Sequence, residues 1–266
     1  KYVYEYLVNK NNTDIFSQSL LNKLDMPQYL DALKYCHFPE SHNYFESNSL
    51  FESGRQRFII EELLAYKLIL NNAKKKYESN KSAKFSVRDE IIKNFISALP
   101  FDLTSSQTKA INDIKLSFEN PFPTKRLIQG DVGSGKTIIA AIASMYSTSS
   151  NLQVAILVPT EILADQHFKT FKQLFTNFSV TVECLKSKIP DKKKNTIQDS
   201  ISNGTANIVI GTHALIEKNV TFKNLGLIII DEQHKFGIKQ RIQISSNNVK
   251  DIYPHEIYLS ATPIPR

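Results

Sequence analysis

The chain has 266 residues, of which 41% are hydrophobic and 22% charged, and carries a net charge of +7. These proportions are those of a soluble globular protein with room for one large domain or two unequal ones. They exclude a membrane-spanning helix, because apolar runs such as VAILV and LGLIII are strand-length, far short of the ~20 residues that cross a bilayer.

Only Cys36 and Cys184 are present, far apart and in no metal-ligand spacing. A reduced, cytoplasmic protein is the simplest account of them. The opening KYVYEYLVNKNN shows no apolar region followed by a small-residue cleavage site, so no signal peptide is read there. It also lacks an initiator methionine, so the chain is expected to begin inside a longer protein. Excess lysine suits a polyanionic partner and equally suits a solvated, lysine-rich surface.

Up to Pro100 the signals are helical, first in MPQYLDALKYCHFP and then in RQRFIIEELLAYKLILNNAKKKY. In the second, Phe58, Leu63, Tyr66 and Leu70 follow helical spacing and predict an inward stripe, with Glu61, Lys67 and Lys74 outward. Lys74–Lys76 suits a helix carboxyl end, and Arg88–Ala98 predicts a further helix. After Pro100 the pattern becomes strand, loop, helix, repeated. Strands are read at RLIQ, VAILV, VTVECL, NIVIG, LGLIIID and EIYLSA, and helices at KTIIAAIASMY, EILADQHFKTFKQLF and KKNTIQDSISN. Strands apolar on both faces that alternate with helices predict an α/β fold whose parallel sheet is covered on both sides. Such sheets bind ligands at the carboxyl ends of their strands.

The chemistry is concentrated at those ends. GDVGSGKT runs from Gly130 through Asp131, Gly133, Ser134 and Gly135 to Lys136 and Thr137, after a strand and into a helix. That is the context of a P-loop, whose backbone N–H groups cradle phosphate oxygens. The helix amino end adds favourable dipole. Lys136 is expected on the β- and γ-phosphates of ATP and Thr137 on Mg²⁺. A metal held at a P-loop needs a further acid, and Asp231 closes the strand LGLIIID. Asp231 is expected to hold Mg²⁺, and Glu232 to orient or deprotonate the attacking water.

Asp-Glu-x-His after a P-loop, followed by Ser260, Ala261 and Thr262, resembles superfamily 2 helicases and translocases. No LSGGQ-like ABC signature is present. The resemblance implies that Gln233 and His234, with Ser260 and Thr262, link the nucleotide site to nucleic-acid binding and domain movement. Local backbone capping is the alternative for the two hydroxyls. More narrowly, RLIQGDVGSGKT, VPTEILADQH, IVIGTHALIE, FKNLGLIIIDEQHKFGIKQR and LSATPIPR are similar, in order and interval, to the RecG family of bacterial ATP-dependent DNA helicases. Transcription-repair coupling translocases carry DEEQRFG where this chain has DEQHKFG, so His234 favours RecG. The match is strong over 100–266 and looser back to about Asp25.

The resemblance implies a RecA-like ATP-binding domain at 100–266, preceded over 1–99 by a helical connector that follows a DNA-binding wedge. It implies ATP and Mg²⁺ as cofactors, a branched DNA duplex (fork or Holliday junction) as partner, no membrane, and a monomer. Gln107 is expected at the adenine, although Thr104-x-x-Gln107 is also a capping box. Pro159, Thr160 and Glu161, with Gly211, Thr212 and His213, are expected to grip the DNA backbone, as small hydroxyls and loop N–H groups do. The chain departs from the family at Leu185-Lys186-Ser187, where relatives carry Thr-Gly. Lys186 or Lys188 substitutes there only by charge. A second RecA-like domain of the same parent chain is expected to complete the ATP site with arginines. This chain alone is therefore expected to bind Mg·ATP weakly, hydrolyse it very slowly and not unwind DNA. Two other functions fit the motifs, a duplex translocase coupled to transcription and a nucleotide-gated binding module without turnover.

Overall fold

The structure, a computed structural model, describes residues 14–38, 44–86, 89–217, 219–232, 236–237, 244, 248 and 252–261. It divides into two compact units, Lys1–Lys76 and Tyr77–Arg266. None of its helices is long and apolar enough to cross a membrane, among the described residues.

In the first unit the sequence supplies many large apolar residues, but among the described ones only Phe16 and Leu21 are buried, and a cation is buried with them. The unit holds helices α1 (Gln18–Leu24), α2 (Tyr29–His37) and α3 (Tyr44–Glu78), and Arg57 of α3 is fully buried. Its guanidinium donates to Asp14 Oδ1 at 2.7 Å and Glu61 Oε2 at 2.5 Å, and lies over the Phe16 ring at 4.2 Å. Burial pushes the Asp14 carboxyl up, but the amides of Phe16 and Tyr29 and the Arg57 charge outweigh it and leave it below its usual value.

The predicted helix at 55–77 is present within α3. Of its predicted inward stripe only Phe58 is half-buried, its ring 5.7 Å from that of Tyr29, while Leu63, Tyr66 and Leu70 are 61%, 61% and 46% exposed. A helix of 35 residues runs ~50 Å. The described part of the unit meets it near Gly54, where an added Cβ would lie 2.7 Å from the Ala32 carbonyl oxygen. Periodicity marks an apolar face without supplying a neighbour to cover it.

The second unit is the predicted parallel sheet. Strands β1 (Lys125–Gln129), β2 (Gln153–Leu157), β3 (Val182–Leu185), β4 (Ile208–Gly211), β5 (Leu225–Asp231) and β6 (His255–Ser260) lie parallel in the order β1-β6-β5-β2-β4-β3. Because side chains alternate along a strand, β5 feeds two cores. Leu227 and Ile229 pack with α4 (Asp89–Ser97), α5 (Ser105–Phe118), α6 (Lys136–Ser149) and α7 (Glu161–Leu174), through Ile92, Ile114, Ile142 and Phe171. Ile228 and Ile230 pack on the other face with Ile197 and Ile201 of α8 (Asp191–Asn203) and with Leu215 and Phe222. α4 precedes Pro100, yet its Ile92 and Phe95 belong to this core.

His255, fully buried at the start of β6, ties the amino end of the sheet to the segment before α4. The Thr124 amide donates to its Nδ1 at 3.3 Å, so Nε2 carries the hydrogen, 2.8 Å from Ser82 Oγ and 3.3 Å from the Ala83 carbonyl. Phe85 and Phe118 close over the ring, each 5.1 Å away. Burial therefore lowers its pKa from 6.5 to about 4. The unfolded chain takes up this proton first as pH falls, so the contribution is whole above pH 6.5 and is lost between 6.5 and about 4. Urea unfolding across that range should lose ~3 kcal/mol through this group, and His255→Gln should flatten the curve there; an unchanged pH slope in the variant would refute the assignment.

Candidate functional site

Strand order sets the site. β6 lies between β1 and β5, and its carbonyls serve both neighbours. The Gly130 amide donates to Ser260 O at 3.2 Å and the Glu232 amide to Leu259 O at 3.0 Å. The glycine loop after β1 and the acids after β5 are thus held one strand apart, beside a cavity of about 420 Å³. Gly133, Lys136, Thr137, His167, Asp231 and Glu232 line it, with Ala261 at its rim.

Gly135 caps α6 with a left-handed φ of 83°, a conformation open to glycine at little strain. The space its missing Cβ leaves is filled by the Gln107 amide. Lys136 Nζ donates to the loop's own carbonyls, Gly130 at 2.6 Å and Asp131 at 2.8 Å. Both halves of the capping box form: the Gln107 amide donates to Thr104 Oγ1 at 3.3 Å and Thr104 N–H to Gln107 Oε1 at 2.9 Å. Gln107 Nε2 also donates to Ser134 O at 2.9 Å. One side chain therefore starts α5 and straps it to the P-loop.

Asp231 ends β5, and its Oδ2 lies 3.1 Å from His167 Nε2. Glu232 follows with a φ of 53°, a left-handed backbone that costs a residue with a Cβ ~1–2 kcal/mol. Strain of this kind aims a side chain away from the course of its strand. Among the described residues no group of three His, Cys, Asp or Glu forms a metal cage. The cavity offers the Asp231 carboxylate and the Thr137 hydroxyl, hard oxygens that fit Mg²⁺, an ion that completes its shell with phosphate and water. Gln233, His234 and Thr262 lie outside the described residues.

The loops after β2 and β4 emerge on the same edge. Val158 N–H donates to Gly211 O at 3.0 Å, which sets Pro159-Thr160-Glu161 beside Thr212-His213. Thr160 caps α7, accepting from Leu163 N–H at 3.3 Å. His213 is exposed, with its ring 5.5 Å from that of Phe236. At Gly211 a Cβ would run into the Leu185 carbonyl, so the third loop is close as well. Lys186 in that loop donates to Asp165 of α7 at 2.8 and 3.0 Å, which draws it from any anion. Ser260 is buried. The sequence reading missed His167. Its signal is the spacing Ala164, His167, Phe171, which puts an imidazole on the buried stripe of α7.

Residues 104–266 match the DEAD/DEAH box helicase family. Over 247 residues, 93% of this chain, the sequence is 39% identical to 31% of the ATP-dependent DNA helicase RecG of Aquifex aeolicus (strain VF5). Over 254 residues, 95% of this chain, it is 37% identical to 36% of the RecG of Bacillus subtilis (strain 168). A solved structure of RecG bound to a three-way DNA junction matches with a TM-score of 0.77 and 34% identity, over 96% of this chain and 33% of that one. The chain thus spans about a third of the length of the relatives it matches. From the cap at Thr104 through the P-loop to the strand ending at Ser260, the chain belongs to the DEAD/DEAH box helicase family, with RecG helicases as relatives along nearly its whole length.

Proposed function

We propose that this chain is the ATP-binding motor domain and adjoining helical connector of a cytoplasmic, monomeric DNA helicase that couples ATP hydrolysis to the remodelling of branched DNA, forks and Holliday junctions, in recombination and repair. The observation that carries this reading is the division of the sheet edge. β1, β6 and β5 bear the P-loop and the acids, while the adjoining β2, β4 and β3 bear the loops with DNA-binding chemistry. The relative solved on a three-way DNA junction supports branched DNA as the partner. A second RecA-like domain completes the site, and 1–99 forms the connector from a DNA-binding wedge domain, its last stretch packed into the motor.

In this reading Lys136 leaves the carbonyls of Gly130 and Asp131 for the β- and γ-phosphates of ATP, while loop amides of Gly133, Ser134 and Gly135 meet the remaining oxygens. Thr137 and Asp231 hold Mg²⁺, which neutralises phosphate charge when bound. Glu232 orients or deprotonates the attacking water. Gln107, already at the P-loop, contacts the adenine with the Nε2 hydrogen that its bond to Ser134 O leaves over. Pro159, Thr160, Glu161, Gly211, Thr212 and His213 meet the DNA backbone. Gln233, His234, Ser260, Ala261 and Thr262 couple the two ligands.

ATP hydrolysis by the helicase that carries this domain is expected to rise most with a three-way fork, less with linear duplex and least without DNA. Equal stimulation by plain duplex would point to a translocase, and indifference to all DNA would leave a bare ATPase. Glu232→Gln should keep ATP binding and lower turnover ~100-fold or more; loss of binding would remove Glu232 from the chemistry. Thr104→Ala should cost ~1 kcal/mol in urea unfolding with ATP affinity kept, whereas Gln107→Ala should cost as much and also weaken ATP binding severalfold. Equal ATP affinity in the two variants would leave Gln107 a cap alone.

A further inference from the structure

The helix that follows the loop 159–161 carries a buried side chain that the motor motifs leave without a role. His167 is 8% exposed, on the α7 stripe whose neighbours Ala164 and Phe171 are fully enclosed. A carboxylate only accepts hydrogen bonds, so His167 Nε2 is the donor to Asp231 Oδ2 across their 3.1 Å. Nδ1 is also buried and meets no hydrogen-bond partner among the described residues. An unpaired buried nitrogen is unfavourable, a cost that leucine on the same stripe would avoid. Packing therefore does not account for an imidazole here. Its other nitrogen does.

We infer that His167 is the positioning residue for Asp231: it holds the carboxylate at the cavity through Oδ2 and leaves Oδ1 for a divalent cation. This rests on the reading of Asp231 as a Mg²⁺ ligand. Partners one step behind the ligands fix ligand orientation in many metal sites, and their loss lowers metal affinity ~10–100-fold. The placement has a further consequence. α7 starts at Glu161, directly after the Thr160 cap, and two turns later presents His167 to the acid of β5. A displacement of the loop 159–161 therefore reaches Asp231 through a short rigid helix and one hydrogen bond, and the metal's seat depends on where α7 lies.

The test compares two replacements of the ring, His167→Leu, which has no donor, and His167→Gln, whose Nε2 amide keeps one. Binding of a fluorescent, non-hydrolysable ATP analogue to the chain is titrated with MgCl₂ and repeated in EDTA, beside thermal melting. His167→Leu should raise the Mg²⁺ midpoint ~10-fold while melting no lower than wild type and binding the analogue equally in EDTA. His167→Gln should stay within about twofold of the wild-type midpoint, as replacement of an N–H by an N–H requires. Equal shifts in both variants, or no shift in the leucine variant, would overturn the inference and leave Mg²⁺ at the site. Analogue binding by the wild type that ignores Mg²⁺ would overturn the reading of Asp231, and the inference with it. Should the leucine variant fail to fold, His167→Phe supplies the same comparison.

Discussion

The backbone of β6 holds the site together. Its residues come last among the strands, yet they lie between the first and the fifth, and the carbonyls of Leu259 and Ser260 point outward to either side. One receives the amide of Glu232 and the other that of Gly130. With neighbouring strands ~4.8 Å apart, the acids and the glycine loop stand ~10 Å from each other. That gap suits a phosphate chain with its cation. Neither side makes the site alone, and no side chain of β6 is needed to set the gap, because two main-chain hydrogen bonds do so.

On the far side of β5 the same logic of adjacent strands collects a different set of groups. The loop after β2 and the loop after β4 are joined at Val158 and Gly211, and the turn after β3 closes against the same glycine. β5 is the border between the two sets. It is also where both are tied together, since α7, reached from β2, returns His167 to Asp231, and His213, reached from β4, sets its ring against Phe236 beyond the acids. Lys186 extends the second set but spends its charge on Asp165, so that turn approaches a polyanion weakly. The cation and its carboxylate also steady α7 at its exposed side.

Much of this was legible in the residues because it is local. Continuous apolar runs such as LGLIII mark strands covered on both faces, and β5 is buried from Leu225 to Ile230. A glycine loop between strand and helix marks a phosphate cradle, and Thr104 with Gln107 marks a helix start. What stayed hidden depends on contacts distant in sequence. Nothing within HEIYLS says that it enters between β1 and β5. The spacing of Leu63, Tyr66 and Leu70 describes a face of α3 and is silent on whether anything covers it. His167 sits on a stripe where burial alone explains most residues, and only the arrival of Asp231, 64 positions later in the chain, gives the ring a purpose.

The backbone of Glu232 has one more implication. A left-handed conformation favours glycine first and asparagine next, and glutamate is a poor occupant on conformational grounds. A search among variants for heat resistance would therefore drive this position towards glycine or asparagine, and with it remove the acid. If Glu232 handles the attacking water, as proposed, thermal tolerance and turnover draw this one residue in opposite directions. A library screened for both at once should keep glutamate here and gather its stabilising changes elsewhere.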